Sequence, residues 1–353
     1  MSLQRRLLLI LAIQVFFLPN ITVKSLSAGK YDSLFQSETV ISMELRCDFT
    51  TIENDRSEDP GYHDGELNYL TENEDTVKLS VKIKVRGNFR KDPINCKFPP
   101  LLVNFKKDEV KNTLFDDQNK LKLVTPCQVE EDVLEEYLIY KMYNLVTEVS
   151  HQVRLVKILY YDTGRDKKMF ERYSFFIEDE DHVAKRNGGF IRDKFITLLD
   201  LNQDNVKKMT VFQYLIGNKD WYETTRHNIV IIQPDDTTQV PYTLPYDFDF
   251  SAFINADYTK PKGIPDEMLE NRRIYKGLCY TTEEFNEIFD FYRKLRPEFE
   301  SLIMNREEIS KFSRKQAVRF LDDFYNVTDD PERFKKVFLD ACLTRKDYFR
   351  SEE

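Results

Sequence analysis

Glycine is scarce in this chain, ten residues in 353, histidine is scarcer at four, and tryptophan occurs once. So little glycine excludes collagen-like and linker-type polymers. No Cys-x-x-Cys pair occurs and no two histidines stand at His-Glu-x-x-His spacing, which argues against zinc sites. Beyond residue 28 no stretch approaches 18 apolar residues, so no membrane span is expected after the leader. Positive charge is short as well, 52 Lys and Arg against 61 Asp and Glu, for a net charge of −9. That balance argues against nucleic acid or anionic lipid as a partner. What the chain has in quantity is aromatics, 27 Phe and 19 Tyr, as expected of a packed globular protein.

The first 28 residues read as a secretory signal peptide. Arg5 and Arg6 precede an apolar run over 7–18, and the small residues Ser25, Ser27 and Ala28 mark a cleavage site. Loss of this leader removes Arg5, Arg6 and Lys24 and no acid, taking the charge from −9 to −12. The expected product is exported, to a periplasm, cell envelope or extracellular space. Disulfides are then permitted, and the five cysteines suggest Cys96 with Cys127 and Cys279 with Cys342, with buried unpaired cysteine as the alternative.

The acidic residues of 213–251 carry the chemistry. An apolar helix end stops at Gly217-Asn218, Asp220 and Trp221 follow on a loop, and His227-Asn228 open a β-branched strand at 229–232. A turn leads to a second strand at 242–244 and then to Pro245-Tyr-Asp-Phe-Asp-Phe-Ser251. A hairpin of this kind gathers Asp220, Asn228, Asp247 and Asp249 at one end. Carboxylates with an amide oxygen suit Mg²⁺ or Mn²⁺ that also holds phosphates.

In this order of parts the segment resembles a protein-kinase site, where an Asp meets the substrate hydroxyl and an Asn and a later Asp take metal. Asp220 and Asn228 lie eight residues apart, where ordinary kinases use five. The chain is more similar to the CotH family of spore-coat protein kinases. That family has an Asp loop, a His-Asn before a strand and a Pro-aromatic-Asp-aromatic-Asp element. A second anchor is Arg86-Gly87-Asn88, followed by Lys97 ahead of a strand ending in Phe105 and by a strand at 120–125. The resemblance spans roughly residues 77–255. It departs from the family where Pro99-Pro100 replace the more usual Lys-Pro, which leaves Lys122 as a competitor to Lys97.

The resemblance implies an α+β, kinase-like two-lobe architecture: a β-rich N-terminal lobe over 29–178 with a helix at 130–149, and a mostly helical C-terminal lobe over 179–353. It implies ATP-dependent and Mg²⁺- or Mn²⁺-dependent phosphoryl transfer to a Ser or Thr hydroxyl of an exported protein. Asp220 is then the catalytic residue, and Asn228, Asp247 and Asp249 hold metal. Arg86 and Lys97 face the phosphates, Glu136 (or its neighbour Glu135) pairs with the phosphate-binding cation, and Glu178 lies beside the nucleotide base. Because an exported protein meets little ATP, an inactive binding module and a secreted metal-dependent hydrolase stand as alternatives.

Overall fold

Alternation builds the first half of the structure. In the strand Thr76–Val85, Leu79, Val81, Ile83 and Val85 are buried while Lys78, Ser80 and Lys82 face water. The computed structural model describes residues 34–344 apart from 72, 195 and 261–272. The expected leader at 1–28 lies outside the described residues. Seven strands precede the helical half: β1 (Ile41–Cys47), β2 (His63–Leu70), β3 (Thr76–Val85), β4 (Leu101–Phe105), β5 (Lys120–Val124), β6 (Val153–Asp162) and β7 (Lys167–Ile177). A short α1 (Phe49–Asn54) follows β1, and α2 (Glu130–Val146) sits between β5 and β6.

These strands overturn the expected kinase-like two-lobe fold. They form a closed barrel in the order β1-β2-β3-β4-β5-β7-β6, sealed by parallel pairing of β1 with β6, Ile41 opposite Val156 and Cys47 opposite Asp162. Every other neighbour pair is antiparallel. Closure leaves no free edge, whereas a kinase N-terminal lobe is an open sheet. Leu45, Leu67, Ile83, Val103, Leu121, Ile158, Tyr160 and Phe176 fill the interior. The α+β class holds.

Where β6 begins and β7 ends, both faces are buried. Val156 and Ile158 point into the barrel, while Val153, Leu155, Phe175 and Ile177 pack outward with α2. This second core continues into α4 (Gln203–Ile216), α5 (Thr282–Met304) and α6 (Lys311–Asp329). Packed on two sides, α2 buries Ile139, Tyr140 and Tyr143 as well as Val133, Leu134, Tyr137 and Leu138, and it ends at Val146, short of 149, with Leu145 40% exposed. Pro297 lies inside α5, which runs through it. Phe285, Phe289 and Tyr292 before it and Phe299 and Ile303 after it are buried against the same core, which outweighs the lost backbone donor.

Three further strands complete the site's scaffold. After α3 (Glu180–Arg186), β8 (Gly189–Ile191), β9 (Ile229–Pro234) and β10 (Tyr242–Pro245) form an antiparallel sheet in the order β10-β9-β8. The last helical elements among the described residues are α7 (Pro331–Phe334) and one π-helical turn, Lys335–Leu339. Disulfides join Cys96 to Cys127 and Cys279 to Cys342, and Cys47 is free and buried.

Candidate functional site

Hairpin register assembles the acidic end of the site. Ile229 stands opposite Pro245, so Asn228 before β9 meets Tyr246 and Asp247 after β10, and the Tyr246 amide donates to the Asn228 carbonyl at 3.1 Å. Asn228 (φ 56°) and Asp247 (φ 60°) both adopt the left-handed region, which short polar side chains tolerate best. Two such residues at one hairpin end mark a position held by its surroundings. The Asp247 amide donates to the Tyr140 hydroxyl of α2 at 2.9 Å.

Asp220 arrives from the other side. Gly217, at φ 65°, ends α4, and the Asn218 amide donates back to the Gln213 carbonyl at 2.9 Å. Asn218 Oδ1 then accepts from the Asp220 amide at 2.9 Å. The Asp220 carboxylate meets His227 Nε2 at 3.0 Å through Oδ1 and accepts from Asn228 Nδ2 at 3.1 Å through Oδ2, while its carbonyl accepts from the same amide at 2.7 Å. Donation through Nδ2 leaves Asn228 Oδ1 as the acceptor side of that amide.

The cations come from the barrel rim. Arg86, Gly87 (φ 82°) and Asn88 form the loop leaving β3, and the Arg86 amide donates to the Pro100 carbonyl at 3.0 Å. Arg90 is buried, and its guanidinium donates to the Thr125 carbonyl. Its Nη1 lies 4.0 Å from both Glu136 Oε2 and Asp249 Oδ2. The Cys96–Cys127 disulfide ties this loop to the residues entering α2. Lys122 of β5 pairs with Glu180 at 3.0 Å and lies 4.9 Å from the Tyr246 ring centre.

These groups line one cavity of about 370 Å³: Arg86, Arg90, Lys122, Glu136, Asp220, Asn228, Asp247 and Asp249. Four carboxylates face three cations there. Burial, then Asp247, pushes the Glu136 carboxyl up to about 8 against the pull of Arg90 and Arg86. Burial, then Asp247 and Glu136, holds Asp249 well above the usual carboxylate range. The Tyr258 hydroxyl donates to Asp249 Oδ2 at 3.2 Å.

Two expected site residues lie elsewhere. Lys97 is exposed outside the cavity, its carbonyl taken by Arg56, because the loop from Arg86 turns inward at Arg90 instead. Lys122, the weighed alternative, lines the cavity. Glu178 is buried but faces away from it: Arg186 reaches its two oxygens at 2.9 and 3.1 Å, and the Gln152 amide donates at 2.9 Å. It secures the turn into α3. Arg186→Met is expected to lower stability by about 3 kcal/mol, since it strands a buried carboxylate. Any shift in melting temperature produced by ATP should be unchanged. Sequence reasoning passed over Arg90, Tyr140 and Tyr258. Of these only Arg90 carried a signal, as the second cation of the Arg86–Arg90 loop.

The donor set fits a magnesium-type ion. Among the described residues no three His, Cys, Asp or Glu side chains form a ready metal cage. Asp247, Asp249 and Asn228 Oδ1 are a partial set, and Mg²⁺ commonly uses one or two carboxylates and takes its other ligands from water and phosphate. A divalent cation there would favour the ionised forms of Asp249 and Glu136, which burial disfavours. No helix among the described residues is long and apolar enough to cross a membrane. No protein-family model matches this chain, and no curated protein matches it.

Proposed function

We propose that the cavity binds a nucleoside triphosphate, ATP in the simplest case, and transfers its γ-phosphoryl group to a Ser or Thr hydroxyl of an exported protein. This is the activity that the CotH resemblance implies, and it is argued from the site's residues and not from a kinase-like fold. The observation that supports it is the meeting of Asp220, Asn228, Asp247 and Asp249 with Arg86, Arg90 and Lys122 around one cavity. The two disulfides are compatible with export.

In this reading the acceptor oxygen forms a bond to the γ-phosphorus while the bond from that phosphorus to the β,γ-bridging oxygen breaks, and ADP leaves. The Asp220 carboxylate takes the hydroxyl proton, with His227 and Asn228 fixing its orientation. Bound Mg²⁺ or Mn²⁺, held by Asp247, Asp249 and Asn228, would neutralise phosphate charge. Arg86 and Lys122 add fixed positive charge at the rim, so most of the rate comes from positioning and electrostatics. The test is transfer of radiolabel from γ-labelled ATP to a general acceptor protein with Mn²⁺ or Mg²⁺. Label on Ser or Thr that is lost in Asp247→Ala supports the reading. Nucleotide binding without transfer points to a binding module, and phosphate release from simple esters without nucleotide points to a hydrolase.

A further inference from the structure

The loop that carries Asp220 is held from behind by a residue 56 positions later in the chain. Lys276 donates from Nζ to the carbonyl of Lys219 at 3.0 Å and to that of Trp221 at 2.6 Å, the two residues flanking Asp220. The same ammonium lies 3.5 Å from the Tyr222 ring centre and 5.0 Å from that of Trp221. It does not line the cavity. Its own segment is anchored in turn. Leu278 bridges to Leu343, the Leu343 amide donates to the Gly277 carbonyl at 2.9 Å, and Cys279 is bonded to Cys342. A straight line of support thus runs from the carboxy-terminal disulfide through Lys276 to the backbone on each side of Asp220.

We propose that Lys276 is a positioning residue for Asp220: one ammonium spans the two carbonyls around it and fixes where the carboxylate points. Two strong backbone bonds from a single charged donor suit a short loop, since residues 219–221 lie outside any helix or strand. The bond to Trp221 also seats that buried indole, which anchors the loop in the core formed with Leu201, Met209 and Ile231. Burial pushes the ammonium down to about 8, against the opposing pull of Glu223 and then Asp220. This role rests on the proposed transfer reaction only where it concerns rate.

Trp221 is the sole tryptophan of the sequence, so its fluorescence reports on this loop without any assay of activity. The experiment compares full-length wild type, Lys276→Met and Lys276→Arg by acrylamide quenching of Trp221, with circular dichroism as the check of folding. Lys276→Met is expected to fold, to show at least a doubled quenching constant, and to lose transfer roughly 100-fold in kcat with the KM for ATP unchanged. Lys276→Arg is expected to restore most of both. Quenching in Lys276→Met equal to wild type overturns the proposal. If Lys276→Met does not fold, Lys276→Gln is read in the same way. If wild type transfers no phosphate yet Lys276→Met exposes Trp221, the loop role of Lys276 stands and the phosphoryl-transfer reading falls. Normal transfer with unchanged quenching removes Lys276 alone.

Discussion

Arg90→Met is expected to cost about 3–5 kcal/mol of stability, read as a lower urea midpoint, since it leaves two buried carboxylates without their shared cation. Arg90 is 8% exposed, lies 4.0 Å from Glu136 and from Asp249, and donates to the Thr125 carbonyl. Methionine fills much of the volume but supplies neither charge nor donor. The cost has a pH sign. Glu136 is raised from an ordinary 4.5 to about 8, so its neutral form is favoured in the folded state. A raised carboxyl takes stability away as pH rises from its unfolded value through its folded one, here from about 4.5 to about 8. Glu136→Gln should therefore gain stability over wild type across that window and gain nothing below it. The Arg90→Met deficit should be largest above about pH 8 and shrink as pH falls below it, where a protonated Glu136 needs no cation. A change below about 1 kcal/mol at pH 8 would mean that Arg90 is not the partner of these acids.

Asp220→Asn is expected to lower transfer by about 10²- to 10⁴-fold with nucleotide affinity unchanged. The amide keeps the size and some of the hydrogen bonding to His227 but accepts no proton. Asp220 lines the cavity from the α4–β9 loop, a different segment from the one that carries Asp247 and Asp249, so metal and nucleotide should still bind. The check is a single-turnover rate beside a binding isotherm. Retained transfer would assign proton acceptance elsewhere, with His227, 3.0 Å from Asp220, the neighbour to test next.

How much of this was legible depended on sequence distance. The alternation of Val77 to Val85 and the two strands flanking the Asp-rich turn are local patterns, so β3 and the β9–β10 hairpin could be read directly. With the hairpin came the meeting of Asn228 and Asp247, since antiparallel register places the residue before one strand beside the residue after the other. Barrel closure was not legible. It depends on Ile41 pairing with Val156, more than a hundred residues away, and period two is the same in open and closed sheets. The same limit moved the basic site. Arg90 of the β3–β4 loop and Lys122 of β5 line the cavity, and Lys97, beside the Cys96–Cys127 bond, does not. Glu178 ends its strand as expected, but Arg186, one helix later, claims both its oxygens.

The most direct measurement is a thermal shift of the purified protein with ATP, with and without Mn²⁺ or Mg²⁺, beside Asp247→Ala. A rise in melting temperature that needs both metal and nucleotide, and that Asp247→Ala abolishes, is the predicted result. No shift in wild-type protein shown to be folded would contradict a nucleotide site at this cavity and, with it, the proposed phosphoryl transfer.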